Sequence, residues 1–244
     1  MALAVSPSGR LIVFSALRGT VTQLFSRALD QAEATPVPGT EGGFGPFFSP
    51  DGKWIGFWAG GKIKKVPVEG GLPGTICCDM PLAGQGWGAS WAEDGTIFFS
   101  PETDKISKVS SAAGGTPETV ATPDVANGEH FMLPQALPGG KAVMFTAVRS
   151  YDWDTATAVL HSLKTGKRSV LIEGAADARY VRSGHLVYMK TGTLMAVPFD
   201  LGTLKVTGDP VPLVKDVMQA VNMVNTSLET GAGQFVISES GTLL

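Results

Sequence analysis

Apolar and polar positions along the chain alternate over short runs, which are separated by clusters of glycine, proline, aspartate and serine. The run Lys62–Val68 places Ile63 and Val66 among lysines, and Trp54–Phe57 and Thr96–Phe99 are rich in β-branched and aromatic residues. Strand-length runs bounded by turn residues predict β-strands, and no stretch of ten or more residues has the apolar period of a helix. The pattern therefore predicts an all-β protein.

One turn motif recurs along these runs at nearly constant spacing, and Ser49-Pro50-Asp51-Gly52 is its clearest copy. Each copy is preceded by one short apolar run and followed by another. A repeat of about 40 to 45 residues that holds several strands is typical of a β-propeller blade. The closing glycine recurs, at intervals of 43, 43, 45, 44 and 57 residues by subtraction, as Gly9, Gly52, Gly95, Gly140, Gly184 and Gly241.

Each of the first five repeats also holds a run for a third strand and, after a further turn, a run for a fourth. We therefore predict a six-bladed β-propeller of four-stranded blades, with its last blade incomplete after two strands. The single domain spans residues 1–244. Its expected blades cover roughly residues 1–42, 43–85, 86–128, 129–174, 175–230 and, in part, 231–244.

Composition agrees with a chain of many short strands and turns. It includes 31 glycines and 16 prolines among 244 residues, which exceeds the usual combined share of about 12%. Lysine and arginine number 19, aspartate and glutamate 22, and the net charge is −3. No basic stripe interleaved with aromatic residues occurs, so the electrostatic footprint of nucleic-acid binding is missing and we expect no nucleic-acid partner.

The only two cysteines, Cys77 and Cys78, are adjacent. Neighbouring residues of a strand point to opposite faces, so we expect no disulfide between them, and no Cys-x-x-Cys metal spacing occurs. No apolar span of 18 residues and no charged leader occur before the first turn. We therefore expect no signal peptide in this chain and no membrane insertion by this segment. The chain reads as an excised or truncated piece of a longer protein.

The stretch Phe44–Phe57, which continues through Lys65–Gly71, resembles the PD40 repeat, a TolB-like and WD40-like repeat. Gly88–Trp91 and Thr193–Asp200 are further matches. The chain is most similar to the six-bladed propellers of bacterial transmembrane serine/threonine protein kinases. This resemblance implies a periplasmic, non-catalytic module that binds or senses a ligand or a protein partner. No kinase motif and no Gly-x-Ser-x-Gly elbow occur, so neither kinase nor prolyl-oligopeptidase-like activity carries over.

A ligand site is expected in the funnel where the first strands of the blades converge. The residues just before those strands are therefore the candidates. Arg179 could hold an anionic group through two hydrogen bonds, and aromatic side chains could cover an apolar part of the ligand. The expected ligand-binding residues are Phe44, Trp87, His130, Arg179, Asn225 and Gln234.

The catalytic candidates, if the funnel carries chemistry, are Glu129, His130 and Asp177. His130 could act as a general base or metal ligand with Glu129 orienting it, or it could only cap a blade through a backbone carbonyl. His161 and His185 are expected at the surface. A calcium-dependent enzyme would need about six to eight oxygen ligands, but few carboxylates lie at comparable positions. A hydrolase of esters, lactones or phosphotriesters is therefore the alternative function. Calcium is expected only in that case, and the binding module needs no metal or cofactor.

The last connection differs from the others in length. Its interval of 57 residues compares with 43 to 45 elsewhere, and the excess lies within Val217–Gly231. Extra length in one connection of a regular array is often functional, so we expect a mobile lid over one face. The second strand of the last blade, Thr242–Leu244, would leave backbone groups unpaired. This edge predicts self-association, most simply as a two-fold dimer, or else a continuation of the natural gene that this chain lacks.

Overall fold

A computed structural model describes residues 3–78, 86–220 and 230–244. Its strands form antiparallel blades in which sequence neighbours pair. The first blade contains β1 (Leu3–Val5), β2 (Leu11–Arg18), β3 (Val21–Ala28) and β4 (Thr35–Pro36). The second contains β5 (Phe44–Phe48), β6 (Trp54–Ala59), β7 (Lys62–Pro67) and β8 (Gly74–Cys77). The third contains β9 (Ala89–Trp91), β10 (Thr96–Phe99), β11 (Ile106–Ser110) and β12 (Glu118–Ala121).

The two remaining blades are larger. The fourth contains β13 (Glu129–Ala136), β14 (Ala142–Arg149), β15 (Thr157–Ser162) and β16 (Arg168–Glu173). The fifth contains β17 (Ala176–Val181), β18 (His185–Lys190), β19 (Thr193–Asp200), β20 (Lys205–Val206) and β21 (Val211–Val214), and both β20 and β21 pair with β19. Two short 3₁₀ helices are Val125–Asn127 and Trp153–Thr155.

All six recurrent glycines close turns of one kind. Each glycine N–H donates to the carbonyl three residues earlier, at distances from 2.8 Å for Gly9 to Ser6 up to 3.3 Å for Gly140 to Leu137. Their φ angles lie between 64° and 91°, a region that glycine enters without steric cost. In the second turn the Ser49 hydroxyl donates to Asp51 at 2.6 Å, and this hydrogen bond lowers the pKa of Asp51. The recurrent glycine is therefore a backbone requirement of the turn.

Successive blades pack against one another in the order of the chain. The first strands of successive blades contact one another, as β1 does β5 and β5 does β9. Apolar side chains of adjacent blades fill the space between the sheets, for example Leu24 of the first blade with Ile55 and Phe57 of the second. Burial of such apolar surface is the main force that stabilises the assembly.

The structure corrects the predicted blade count, because the described residues form five blades and not six. The sixth turn, at Gly241, does form, and Ile237 pairs with Leu243 through an isolated bridge. Only three residues follow Gly241, so residues 236–244 form a short hairpin, here called the C-terminal hairpin, in place of a four-stranded sheet. A Cβ added to Gly9 would overlap Thr242 of this hairpin, so the hairpin adjoins the first blade.

The ring has two distinct faces. The turn face carries the six glycine turns, and the start face is the opposite one, where first strands begin and second strands end. A left-handed backbone residue recurs near the start face, seven positions before the turn glycine, with φ values of 57° at Gly45, 106° at Gly88, 56° at Leu133 and 49° at Asp177. The ladder shifts register at three of these points, between Phe44 and Phe47, between Met132 and Gln135, and between Ala176 and Arg179. These bulges set how the first strands begin.

The expectation of unpaired cysteines is wrong, because a disulfide joins Cys77 to Cys78. Strand β8 ends at Cys77, and Cys78 has a φ of 82°. The left-handed backbone turns the second side chain out of the alternating strand geometry, so both sulfur atoms lie on the same side. Among the described residues, no helix has the length and apolar character to cross a bilayer.

Candidate functional site

A cleft of about 430 Å³ lies on the start face between the fourth and fifth blades. Two loops and one extended segment form its walls. The β14–β15 loop and the β18–β19 turn reach the start face because β14 and β18 both end there. The residues that line the cleft are Tyr151, Asp152, Trp153, Asp154, Thr191, Gly192, Val217 and Gln219.

The β14–β15 loop is held in an unusual backbone conformation. Ser150 and Tyr151 have φ angles of 49° and 56°, which cost energy for residues with a side chain. The Ser150 N–H donates to the Gly128 carbonyl at 2.8 Å, and the Asp152 N–H donates to the Arg149 carbonyl at 2.9 Å. These hydrogen bonds fix the loop so that aromatic and acidic side chains face the cleft.

The opposite wall is built on the fifth blade. Thr191 and Gly192, with φ angles of 45° and 74°, form a two-residue turn between β18 and β19. The Val217 N–H donates to the Gly192 carbonyl at 2.9 Å, which brings the chain after β21 against this turn. The Gln219 side chain donates to the Gly231 carbonyl at 2.8 Å, and Gln219 also pairs with Gly233 through an isolated bridge.

The lining combines two aromatic rings with two carboxylates. Tyr151 and Trp153 are partly buried against the core of the fourth and fifth blades, whereas Asp152 and Asp154 are exposed. Asp152 precedes the 3₁₀ helix Trp153–Thr155, but its carboxylate does not cap that helix. No ion pair to either carboxylate forms among the residues that the structure describes.

His130 does not line the cleft but supports the lining residue Tyr151. Its ring stacks on Tyr151, with centroids 4.6 Å apart and an interplanar angle of 22°. The Nδ1 atom lies 3.0 Å from the Thr103 hydroxyl oxygen. Burial lowers the pKa of His130 below its usual value of 6.5, so the ring is neutral at pH 7. Its geometry supports Tyr151 and leaves no contact with Glu129.

Glu129 faces a different set of partners. Its carboxylate accepts a hydrogen bond from the Asp124 N–H at 2.8 Å and forms an ion pair with Arg168 at 3.3 Å. Adjacent residues of a strand alternate in direction, which explains why Glu129 and His130 diverge. The structure therefore does not bring these two catalytic candidates together.

Asp177, which is buried, and Arg179, which is partly buried, form a clamp at the start of β17. Arg179 Nε donates to Asp177 Oδ1 at 2.9 Å, and Arg179 Nη2 donates to Asp177 Oδ2 at 2.7 Å. Arg179 Nη1 also donates to the Phe235 carbonyl at 3.1 Å, and the guanidinium lies 4.3 Å from the centre of the Phe235 ring. The Gly233 N–H donates to Asp177 Oδ2 at 2.9 Å. Because Gly233 pairs with Gln219, the clamp holds one wall of the cleft.

The other predicted ligand-binding residues that the structure describes do not line the cleft. Trp87 is only 8% exposed and belongs to the core of the fourth and fifth blades. Phe44 packs on the core between the second and third blades. The Gln234 N–H donates to the Met218 carbonyl at 2.7 Å, next to the cleft wall. Asn225 lies outside the described residues, as does the middle of the predicted lid, Val217–Gly231.

The two other histidines have separate environments. His161 is buried, with 7% exposed, so its expected surface position is wrong. Its Nδ1 lacks a hydrogen-bond partner among the described residues. Burial, followed by the charge of Arg168, lowers the pKa of His161. His185 lies beside Ser183 at an exposed turn, as expected.

Sequence reasoning missed the residues that line the cleft. Their signal is the run Tyr151-Asp152-Trp153-Asp154, in which aromatic and acidic residues alternate within one connection. The described residues contain no group of three or more histidine, cysteine or acidic side chains placed to hold a metal ion.

No model of a known protein family matches this sequence, and no curated protein matches it in sequence at a significant level. Solved structures do resemble the fold. TolB from Acinetobacter baumannii is 16% identical, with 88% of this chain and 55% of that protein covered and a TM-score of 0.64. The chain thus spans little more than half of that TolB structure.

A TolB-type protein from Agrobacterium tumefaciens is 14% identical, with 89% of this chain and 83% of that protein covered and a TM-score of 0.65. The Dos1 propeller is 13% identical, with 98% and 65% covered and a TM-score of 0.59. At such identities the likeness shows the fold alone, which is that of a TolB-like β-propeller.

Proposed function

We propose that this chain is a non-catalytic binding module that recognises a ligand or a partner segment through the cleft on its start face. The main support is the cleft itself, where the β14–β15 loop and the β18–β19 turn, both with left-handed residues, place Tyr151 and Trp153 opposite Thr191 and Gly192. Strained residues of this kind persist where surrounding contacts fix them, and they occur often at binding sites. A concave surface with aromatic walls and a few polar groups is typical of ligand sites.

The hydrolase alternative has less support. Glu129 and His130 have separate partners, and Asp177 is held by Arg179 and Gly233. A general base must reach the proton that it removes, whereas Asp177 is 3% exposed and engaged on both oxygens. Metal analysis together with a panel of ester, lactone and phosphotriester substrates tests this alternative, and turnover would contradict the binding-module proposal.

The binding proposal is tested by screening a mixed set of anionic, neutral and cationic small molecules and peptides. Backbone amide NMR shifts locate each binding event on this 25.4 kDa chain. We expect shifts at residues 151–154, 191–192 and 217–219. Asp152→Trp should fill the mouth of the cleft and abolish them, whereas Asp30→Trp, at an exposed turn of the first blade, should not. Binding elsewhere on the ring, or to nothing in the set, would contradict the proposal.

The wider context follows from the PD40 resemblance. By that resemblance the module is placed outside the cytoplasmic membrane, in the periplasm, and beside a kinase or further propeller repeats. Two described residues of the predicted lid, Val217 and Gln219, line the cleft, which supports a role in ligand contact. Self-association through the C-terminal hairpin also remains a prediction. Analytical sedimentation at tens of micromolar protein tests it, and a result of monomer only would contradict it.

A further inference from the structure

We propose that the Cys77–Cys78 pair is a thiol–disulfide exchange site, which a dithiol opens and a disulfide reagent closes again while the protein stays folded. The site is separate from the cleft, because the pair lies at the end of β8 in the second blade. Cys77 pairs with Ile63, beside the turn between β6 and β7. Because β6 ends at the start face, the disulfide also lies there.

Stabilisation does not account for this bond. A disulfide stabilises a fold mainly by restricting the unfolded chain, and its effect grows with the number of residues that it encloses. Cys77 and Cys78 are adjacent, so the bond encloses no intervening residue. Cys77 packs in the core between the second and third blades, where a free cysteine would serve equally well as a small apolar side chain. What the bond adds to the protein is therefore its redox chemistry.

The two cysteines differ in exposure, which sets the direction of the exchange. Cys77 is 4% exposed and shares a core cluster with Trp58 and Ile63, whereas Cys78 is partly exposed. An attacking thiolate must reach the sulfur atom with which it reacts. The attack therefore falls on Cys78, and Cys77 is the leaving thiolate. No other thiol of the chain competes, because the sequence contains only these two cysteines.

The exchange balances with the two thiols of one reductant molecule. One reductant thiolate attacks Cys78 Sγ, the bond to Cys77 breaks, and a mixed disulfide forms while the Cys77 thiolate takes up a proton. The second reductant thiolate attacks the reductant sulfur of the mixed disulfide and releases the Cys78 thiolate, which also takes up a proton. The protein thus gains two electrons and two protons, and the reductant leaves as a disulfide.

Opening of the bond changes the backbone at Cys78. Its φ of 82° lies in the left-handed region, which is costly for a residue with a side chain, and the bond to Cys77 holds it there. In the dithiol form we expect Cys78 to take an extended conformation and to point away from Cys77, as in a regular strand. The preceding Ile76 carbonyl accepts from the Gly114 and Gly115 N–H groups at 3.0 and 3.2 Å, so this strand end contacts the third blade.

The test follows the folded protein in dithiothreitol buffers of graded oxidised-to-reduced ratio. We expect mass spectrometry of thiol-labelled protein to find both cysteines free after reduction and neither after reoxidation, with an unchanged circular dichroism spectrum. Amide NMR shifts should change at residues 62–63, 76–78 and 114–115, which adjoin the disulfide. The double variant Cys77→Ser/Cys78→Ser is the control, and its spectrum should not depend on the buffer.

Two single variants test which sulfur atom is attacked. In Cys77→Ser the remaining Cys78 thiol should form a mixed disulfide with oxidised glutathione. In Cys78→Ser the buried Cys77 thiol should react about tenfold more slowly, because access limits the exchange. In denaturant the two rates should be equal, which separates exposure from the intrinsic reactivity of each thiol.

Three outcomes would overturn the inference. They are cysteines that never pair or that become free only in denaturant, reduction that unfolds the protein, and equal glutathione rates for the two folded single variants. NMR changes spread over all blades would contradict the local change at Cys78. If a single variant does not fold, the redox titration of the original chain still decides. None of these results bears on the cleft, so the proposed binding function stands or fails separately.

Discussion

Arg179 holds the carboxylate of Asp177 with two hydrogen bonds, although the two residues lie only two positions apart in the same strand. Asp177 has a left-handed φ of 49° and lies at the register shift between Ala176 and Arg179. The pair also bonds Gly233 and Phe235, which lie 56 residues further along the chain. A local ion pair thus anchors the segment that leads into the C-terminal hairpin.

We expect Arg179→Ala to lower the free energy of unfolding by about 3 kcal/mol, because it leaves the Asp177 charge buried without its partner. The Asp177 side chain is only 5% exposed. Arg182→Ala is a matched control, since Arg182 pairs with Glu93 and Glu239 while 56% exposed. Its loss should cost less than about 1 kcal/mol. Urea unfolding measures both, and equal effects would show that the clamp does not stabilise the ring.

Thr191→Asn should stabilise the protein. Thr191 has a φ of 45° in a two-residue turn before Gly192, and this turn favours asparagine at its first position. Relief of strain at a β-branched residue predicts a gain of about 0.5–1 kcal/mol. Thr193→Asn, in strand β19, provides the control and should give no gain. A lower urea midpoint for Thr191→Asn than for the original chain would contradict this assignment.

Stability should fall as pH drops below about 6.5. Burial lowers the pKa of both His130 and His161 in the folded state. The unfolded chain then binds more protons between the folded pKa and about 6.5, so acid favours unfolding in that window. Above about pH 6.5 both imidazole rings are neutral in the folded and in the unfolded chain, so protonation of these histidines no longer lowers the free energy of unfolding. Urea midpoints for His130→Gln and His161→Gln should depend less on pH, and an unaltered dependence in the double variant would contradict the prediction.

Reduction of the Cys77–Cys78 disulfide should change stability only slightly. Adjacent cysteines enclose no intervening residue, so the bond removes little entropy from the unfolded chain, about 1 kcal/mol or less. Thiol titration in denaturant should find no free thiol before reduction and both cysteines afterwards. Free thiols in the untreated protein would show that the bond does not form, and a large loss of stability on reduction would show that it does more than the entropy argument allows.

The fold could be predicted from the sequence because a glycine recurs at the same turn position in each repeat. Gly9, Gly52, Gly95 and their later counterparts occupy a backbone conformation that favours this residue, so spacing alone located every turn. The strand limits were less visible. In β13, which begins at Glu129, a bulge at Leu133 interrupts the apolar pattern and hides the first residues of the strand.

The cleft was harder to predict than the turns. His130 and Asp177 lie close to it and support its walls, but the lining comes from a connection between strands whose conformation depends on tertiary hydrogen bonds such as Ser150 to Gly128. The left-handed position seven residues before four of the turn glycines escaped notice for a similar reason. Glycine fills it at Gly45 and Gly88, but leucine and aspartate fill it at Leu133 and Asp177. Where side-chain contacts force a backbone conformation, residue type no longer reveals it.

Contact between the C-terminal hairpin and the first blade has a consequence for the order of folding. Thr242 meets Gly9 across almost the whole length of the chain, whereas neighbouring blades join residues that are close in sequence. Contacts between distant residues are slow to form, so blades should associate successively and the ring should seal last. Substitutions at this seam should therefore accelerate unfolding and leave the folding rate almost unchanged, a difference that stopped-flow measurements would detect. The contact between the first and last turns would then determine the unfolding rate of the closed ring.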